Sequence, residues 1–218
     1  MDGASVRQIL ISAGFVILLT VVGWINALPS HAGGSVPGEA RYALQNDSIA
    51  FRGKVVGAQV REGKSVNGTI DRFTWYRIVV KCLILGSLPD TIEAYSPSAM
   101  WGEAGHERFS YSGGSQWIFE GDEIIAVLWR IPLKYGEAIK DERVGALKID
   151  WAAFVQNDGD ISPSSPQRSK HSVPEYSQQL EVKHAKELTS TLIREFSVAF
   201  GDSLATARRG EAGSRACE

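Results

Sequence analysis

Five runs of hydrophobic and polar residues in the middle of the chain have the periodicity of β-strands. Residues 49–60 alternate between apolar and polar side chains, as a strand with one buried face does. Residues 73–85 continue that alternation over a greater length, and Arg77 and Lys81 mark the polar side. Three shorter runs follow, at 91–96, 122–130 and 145–155. The pattern therefore predicts five strands, of which the first two are the longest.

The placement of glycine within the first run indicates how these strands are arranged. Ile49, Phe51 and Val55 share one face, and Gly53 lies between them on that same face. A missing side chain on the inner face lets a strand coil sharply, as strands must when a sheet closes on itself. In the second run, one face carries Tyr76, Ile78, Val80, Cys82 and Ile84, and it is predicted to face the core. The sequence predicts a mainly β fold, a small five-stranded OB-like barrel over residues 39–155.

The sequence after the barrel predicts a linker followed by a helix. Residues 156–172 have the composition of a linker, residues 173–209 are predicted to form an amphipathic helix, and residues 210–218 a disordered tail. Ser172 and Glu175 have the spacing of a capping box. The helix carries an apolar stripe of Leu188, Leu192, Phe196, Phe200 and Leu204, which has to be buried against the barrel or against another chain.

The N-terminal region predicts export. Residues 9–25 contain no charge, Arg7 precedes them, and Ser30 and Ala32 are small residues at the −3 and −1 positions of a signal-peptidase site. Residues 1–32 are either a cleaved signal peptide or a membrane anchor that attaches the protein through 9–25. Both alternatives place residues 33–218 outside the cytoplasm, in a periplasmic, extracellular or membrane-anchored location.

Charge and cysteine content narrow the class of protein. Of 218 residues, 23 are Lys or Arg and 25 are Asp or Glu, and this near-neutral balance gives no attraction toward nucleic acid. The two cysteines are Cys82, predicted to be a small buried side chain, and Cys217, which lies in the predicted tail. Pairing them would require the tail to enter the barrel, so we expect no structural disulfide between them. A free Cys217 could instead pair with another chain.

Candidate functional residues fall in two places. Glu103, His106, Glu107 and Arg108 lie together in a polar loop over 101–117, but a single histidine is a weak metal signal. The chain has no H-E-x-x-H, G-x-S-x-G or phosphate-binding glycine motif, so no catalytic residue, metal or cofactor is predicted. Phe73 and Trp75 are predicted to point away from the barrel core and to pack against either the N-terminal helix or the Leu188–Leu204 helix.

The predicted barrel contains the stretches "SIAFRGKVVGA", "YRIVVKCLILGSLPDTIEAYSP" and "WIFEGDEIIAVLW". Their sequences and their order resemble the netrin-like, or TIMP-like, OB-fold family. The resemblance covers about residues 48–155 and implies the barrel fold and a binding role for its loops. The metalloproteinase inhibitors of that family reach a zinc ion through a mature N-terminal cysteine. Here the mature protein would begin at Gly33 with no cysteine nearby, so inhibitory activity is not implied.

The sequence thus favours an exported, non-enzymatic binding or interaction module, whose partner is another envelope or extracellular protein. Two alternatives remain open at this stage. One is an envelope metal-dependent hydrolase that uses the 101–117 loop, and the other is a membrane-tethered scaffold whose C-terminal helix pairs with a partner helix.

Overall fold

The computed structural model describes residues 43–64, 70–102, 107–110, 116–130, 146–171, 173, 180 and 182–217. The protein divides into two compact units, Met1–Gly33 and Gly34–Glu218, and every described residue lies in the second. The predicted signal or anchor therefore lies outside the described residues. Within the described part, no helix is both long and apolar enough to cross a membrane.

Eight strands and two α-helices make up the described elements. The strands are β1 (Ile49–Lys64), β2 (Ile70–Leu85), β3 (Thr91–Ser96), β4 (Ala99–Trp101), β5 (Arg108–Ser110), β6 (Glu123–Arg130), β7 (Leu147–Val155) and β8 (Ile161–Ser162). The helices are α1 (Ala185–Phe200) and α2 (Asp202–Gly210), with short 3-10 turns at Arg168–Lys170 and Gly213–Arg215.

Five of these strands close a barrel in the order β1, β2, β3, β7, β6 and back to β1. The pairings are antiparallel except for β3 with β7, which run parallel and pair Ala94 with Leu147. β8 extends the sheet beside β7, and β4 and β5 form a separate small ribbon. The prediction of a mainly β, five-stranded OB-like barrel with C-terminal helical structure is confirmed.

Gly53 allows the first strand to lie close against its neighbours inside the barrel. Phe51 and Val55 are fully buried in the core beside it, as their periodicity predicts. A Cβ atom placed on Gly53 would lie 2.8 Å from Phe51 Cε2 and 2.8 Å from the carbonyl oxygen of Val79. The second of these contacts is with backbone, which cannot move aside without shifting β2, so the close approach requires glycine.

We expect Gly53→Ala to destabilise the protein by roughly 1–3 kcal/mol, because it overpacks a filled core. Gly57→Ala is the matched control on the same strand, since its Cβ would meet only Arg77 Cβ, at 3.8 Å. Urea denaturation of the two variants and the parent measures the difference. An equal effect at both positions would contradict the close-approach argument.

The predicted inner face of β2 holds only as far as Val80. Gly53 pairs with Val80 but Arg52 pairs with Cys82, so Lys81 is an extra residue in β2. Such a bulge moves the side chains that follow it to the opposite face. Cys82 is therefore on the outer face, and its predicted place in the core is wrong. Leu83 occupies the inner face in its stead.

The C-terminal tail is ordered and covalently attached to the barrel, so the prediction of a disordered tail is wrong. Cys82 and Cys217 form an intramolecular disulfide, across a sequence separation of 135 residues. The backbone N–H of Cys217 donates to the carbonyl of Leu83 at 2.8 Å, and Arg215 is 3.3 Å from Asp90. Ala212 is buried in the barrel core. Cys217 is thus not free for pairing with another chain.

We expect a thiol reagent to label neither cysteine in denaturant unless a reductant is also added. Replacing both cysteines with serine should lower the free energy of unfolding by about 2–5 kcal/mol, because the cross-link closes a long loop of the unfolded chain. Denaturant unfolding with and without reductant provides the measurement. The serine variant should show no reductant dependence. Labelling of the parent without reductant would show that the disulfide does not form.

The C-terminal helical region begins later than predicted and is interrupted. Val173 is not helical, and α1 begins at Ala185, where the Nδ1 atom of His184 accepts a hydrogen bond from the Lys186 N–H. The predicted capping box at Ser172 and Glu175 lies outside the described residues. Gly201, with a φ of 93°, separates α1 from α2.

The apolar stripe of α1 covers the outside of the barrel. Leu188, Leu192 and Phe196 are fully buried. They pack in one cluster with outward-facing residues of the barrel strands: Ala50, Ile84, Leu85, Ile125, Val127, Trp151, Ala153 and Val155. Of the two alternatives for the stripe, these three residues show burial against the barrel of the same molecule. Phe200 is only partly buried beside them, and Leu204 lies in α2. The stripe is not buried against Phe73 and Trp75.

The segment predicted as a linker is attached to the barrel over much of its length. It contains β8, which pairs with the end of β7, and the turn Arg168–Lys170. Ser165 is buried. Side-chain hydrogen bonds to the turn before β6 therefore hold this segment in place, as described below.

Candidate functional site

Phe73 and Trp75 lie in a small aromatic cluster on the outside of the barrel. Both point away from the core, as predicted, and pack with Tyr95 of β3 and with the partly buried Trp129. The ring centroids of Phe73 and Tyr95 are 5.8 Å apart, and those of Trp75 and Tyr95 are 5.6 Å apart. Of the two helices expected to cover these rings, α1 packs in a different cluster, and the N-terminal helix lies outside the described residues, so that part stays a prediction.

The first two strands extend past the barrel as a two-stranded arm. β1 pairs with β6 only from Ile49 to Lys54, whereas its pairing with β2 continues to Lys64 opposite Ile70. We define the arm as residues 57–64 of β1 and 70–77 of β2. At its base, residues 74–77 also pair with β3, so the arm is two-stranded only over 61–64 and 70–73. In the part of the protein that the structure describes, β2 is the only strand that pairs with β1 along this stretch. The aromatic cluster lies where the arm joins the barrel.

A shallow hollow of about 180 Å³ lies at the base of the arm. Its lining includes Gly57, Gln59 and Arg61 of β1, Trp75 and Arg77 of β2, and Glu93 of β3. The Arg61 guanidinium carbon lies 4.9 Å from the centroid of the Trp75 ring, a cation–π contact. Arg77 and Glu93 form a long ion pair of 3.9 Å at the rim, and both side chains are more than half exposed.

The indole of Trp75 has an unsatisfied hydrogen-bond donor. The side chain is only 8% exposed, and its Nε1–H has no hydrogen-bond partner among the described residues. A buried donor without a partner costs about 1–3 kcal/mol relative to one that is hydrogen-bonded. The Nε1–H of Trp151, in the layer under α1, is buried without a partner in the same way, so this feature alone does not mark a binding site.

The other predicted site residues do not form a described cluster. Glu103 and His106 lie outside the described residues. Glu107 is half-buried, and Arg108 is exposed at the start of β5. Across the described ranges, no group of three or more His, Cys, Asp or Glu side chains is placed to hold a metal ion. Of the predicted set, the structure brings together Phe73 and Trp75.

Of the residues that line the hollow, sequence reasoning predicted only Trp75 as a site residue and missed the others, among them Gln59, Arg61 and Glu93. Gln59 pairs with Trp75, and Glu93 pairs with Arg77, directly across the strands. The alternation that puts Phe51, Gly53 and Val55 on the inner face would put Gln59 and Arg61 there too. The register shift between Val55 and Gly57 turns them outward, and it is visible only against β2, so the sequence gives no signal for these residues.

A buried carboxylate organises the turn before β6. Asp122 is 1% exposed, and its Oδ2 atom accepts a hydrogen bond of 2.8 Å from the Phe119 N–H. Its Oδ1 atom accepts one of 2.7 Å from the Ser165 hydroxyl. Burial raises the pKa of Asp122 above its ordinary value, and the hydrogen bonds from Phe119, Ser165 and Gln167 oppose this. The cluster holds the 156–171 segment against the barrel.

Comparison of the sequence with protein-family models, with curated proteins and with solved structures finds no match in any of the three. The resemblance to the netrin-like family therefore stays a prediction. Function has to be argued from the geometry of the site.

The raised pKa of Asp122 predicts a pH dependence of stability. Its folded pKa lies above the unfolded value of about 3.9, so its stabilising contribution is fully present below that value. The contribution is lost as the pH rises through the folded pKa. We therefore expect Asp122→Asn to remove part of the decline in unfolding free energy above about pH 4. Denaturant unfolding at several pH values tests this, and an unchanged pH dependence would contradict it.

Proposed function

We propose that this protein is an exported, non-enzymatic binding module whose contact surface is the base of the arm. That surface consists of the hollow and the neighbouring outer faces of β1, β2 and β3, and the buried aromatic cluster of Phe73, Trp75 and Tyr95 lies beneath it. Its partner is another protein of the envelope or extracellular space.

The observation that carries the proposal is the aromatic cluster outside the two main cores. The barrel interior is one cluster of buried side chains, and the layer under α1 is a second. Phe73, Trp75 and Tyr95 form a third cluster, beside the projecting arm, where Arg61 stacks on Trp75. Aromatic residues and arginine are the types enriched at protein–protein contacts and at their energetic hot spots.

The disulfide supports the exported location. Disulfides persist in oxidising compartments and are rare in the cytosol of most organisms. The Cys82–Cys217 bond therefore agrees with the uncharged N-terminal run and its signal-peptidase site.

The charges around the hollow favour a protein partner over nucleic acid. Arg61 and Arg77 are accompanied by Glu93, and the protein as a whole has a net charge of −2. Single-stranded nucleic acid is bound in strongly positive grooves that follow its backbone. A mixed and nearly balanced rim suits the polar surface of another protein.

The two alternative functions have less support in the described residues. The hydrolase alternative needs Glu103 and His106, which lie outside them. The scaffold alternative assigns the stripe of α1 to a partner helix, but Leu188, Leu192 and Phe196 are buried against the barrel of the same molecule.

We expect a photo-crosslinking residue at Gln59, exposed on the arm, to give a discrete adduct with another protein in intact cells. The same residue at Ser190, exposed on α1 and outside the proposed surface, is the control. Adducts are detected by a mass shift on denaturing gels and identified by mass spectrometry. The same adducts at both positions, or none at Gln59, would contradict the proposed contact surface.

A further inference from the structure

We infer that the outer edge of β1 in the arm binds an extended segment of the partner protein as an additional β-strand, and that the hollow receives one uncharged side chain of that segment. This inference rests on the proposed function and adds the manner in which the partner is recognised. In binding of this kind, main-chain hydrogen bonds supply the affinity, and pockets for alternate side chains supply the specificity.

The outer edge of β1 is open along the arm. At Val55, the N–H and the carbonyl still form hydrogen bonds of 2.9 Å with the turn before β6. Further along, over 57–64, β1 pairs only with β2 among the strands that the structure describes. The side chains of Ala58, Gln59 and Glu62 are exposed there, so solvent reaches this edge.

The hydrogen bonds of β2 show which of its residues point away from β1. The Val80 N–H donates to the Asp90 carbonyl at 2.8 Å, on the β3 side of β2. The Arg72 carbonyl accepts a hydrogen bond of 3.2 Å from the Ser110 hydroxyl, also outside the β1–β2 pair. Because backbone direction alternates along a strand, every second residue from Arg72 to Val80 points away from β1.

The residues of β1 opposite these positions point away from β2 in turn, since they form the pairs whose members do not bond to each other. They are Ala58, Val60 and Glu62, which pair with Tyr76, Thr74 and Arg72, respectively. Each of the three presents one N–H and one C=O at the outer edge. A row of such groups is a template for another strand.

The sequence at the base of the arm leaves this template unprotected. Residues 57–60, Gly-Ala-Gln-Val, contain neither a charge nor a proline. Lysine, other charged side chains and proline are the residues that usually protect an edge strand from pairing. Charged side chains begin only at Arg61 and Glu62, nearer the tip. The base of the arm is therefore the part of the edge best suited to strand addition.

The hollow lies beside the same part of the edge and has room for one side chain. Gly57 leaves space there, because the nearest described atom to a Cβ added on it is Arg77 Cβ, at 3.8 Å. The volume of about 180 Å³ corresponds to the share of roughly six water molecules in the liquid. Arg77 and Glu93, which line the hollow, offset each other's charge, so an uncharged side chain is favoured.

The short length of the open edge favours an extended segment over a second copy of this chain. Eight residues of strand span roughly 26 Å. Two barrels that meet only along a ribbon of this length bury less than the roughly 1,200 Å² of a standard stable interface. An extended segment can follow the twist of the arm and fill the hollow as well, so its contact is not limited to the ribbon.

Hydrogen exchange of backbone amides in the ¹⁵N-labelled full-length protein tests whether the edge is open. In the free protein, we expect the amides of Ala58, Val60 and Glu62 to exchange rapidly. Those of Gln59 and Arg61 are the matched controls and should be protected, because they bond to β2. Protection of the first three amides in the free protein would show that the chain itself occupies the edge, and it would overturn the inference.

A displayed library of seven-residue peptides with randomised sequence serves as the binding probe. It is selected on the full-length protein, and the most enriched peptide is synthesised and titrated. We expect its binding to slow exchange at Ala58, Val60 and Glu62 and to leave Gln59 unchanged. Binding that adds no protection at those three amides, or a selection without enrichment, would contradict strand addition.

Variants separate the edge from the hollow. Ala58→Pro removes one N–H and places a ring at the edge, where proline is tolerated because that N–H faces solvent. It should weaken binding of the enriched peptide roughly tenfold or more, whereas Ala58→Ser, which keeps the N–H, should not. Equal affinities of these two variants would overturn strand addition. Gly57→Val should also weaken binding, and an unchanged affinity would reject the role of the hollow. Urea unfolding checks that each variant remains folded.

The adduct at Gln59 in intact cells distinguishes failure of this inference from failure of the proposed function. An adduct that is lost in Ala58→Pro and kept in Ala58→Ser supports strand addition by the natural partner. An adduct kept in both variants would reject strand addition and leave the binding module intact, and absence of any adduct would reject the module itself. A dimer of the purified protein that Ala58→Pro dissociates would assign the edge to a second copy instead.

Discussion

The fold depends on one constraint. Two strands of the barrel are apolar on both faces, so the outside of the barrel has to be covered there. In β6, Ile124, Ala126 and Leu128 face the interior, whereas Ile125 and Val127 face outward and are just as fully buried. β7 is buried on both faces in the same way over its second half. Apolar surface of this extent cannot remain in water without a cost of about 25 cal/mol per Å². The helices are thus part of the fold's core and not an accessory to it.

The C-terminal tail fixes that covering layer in place. An amphipathic helix has little stability of its own in water, so α1 requires its contact with the barrel as much as the barrel requires the helix. Beyond α2 the backbone returns to β2, where the Cys82–Cys217 disulfide and the hydrogen bond to Leu83 attach it. Ala212 enters the barrel core on the way. Residues far from the barrel in sequence therefore contribute to its core.

The sequence predicted what depends on local periodicity and failed where a distant contact decides. The alternation around Phe51 and Gly53, and the apolar stripe of α1, predicted the barrel and its covering helix. The bulge at Lys81 could not be predicted, because an extra residue in one strand is visible only against its partner strand. Because of that one residue, Cys82 faces outward and can reach Cys217. The prediction that the two cysteines do not pair failed for this reason. For the candidate site, Phe73 and Trp75 were predicted, but the residues of β1 and β3 that surround Trp75 depend on register.

The aromatic cluster at the base of the arm lies apart from the two clusters that hold the fold together. The core around Phe51 and the layer under α1 are filled with apolar groups, and the aromatic cluster lies outside both. An unsatisfied indole donor does not distinguish it, because the Nε1–H of Trp151 in the layer under α1 also has no hydrogen-bond partner. The distinguishing feature is the position of Arg61 over the Trp75 ring, beside the shallow hollow. Aromatic side chains and arginine are the types enriched at protein–protein contacts, and for this reason we propose that the base of the arm serves recognition and the other two clusters serve folding.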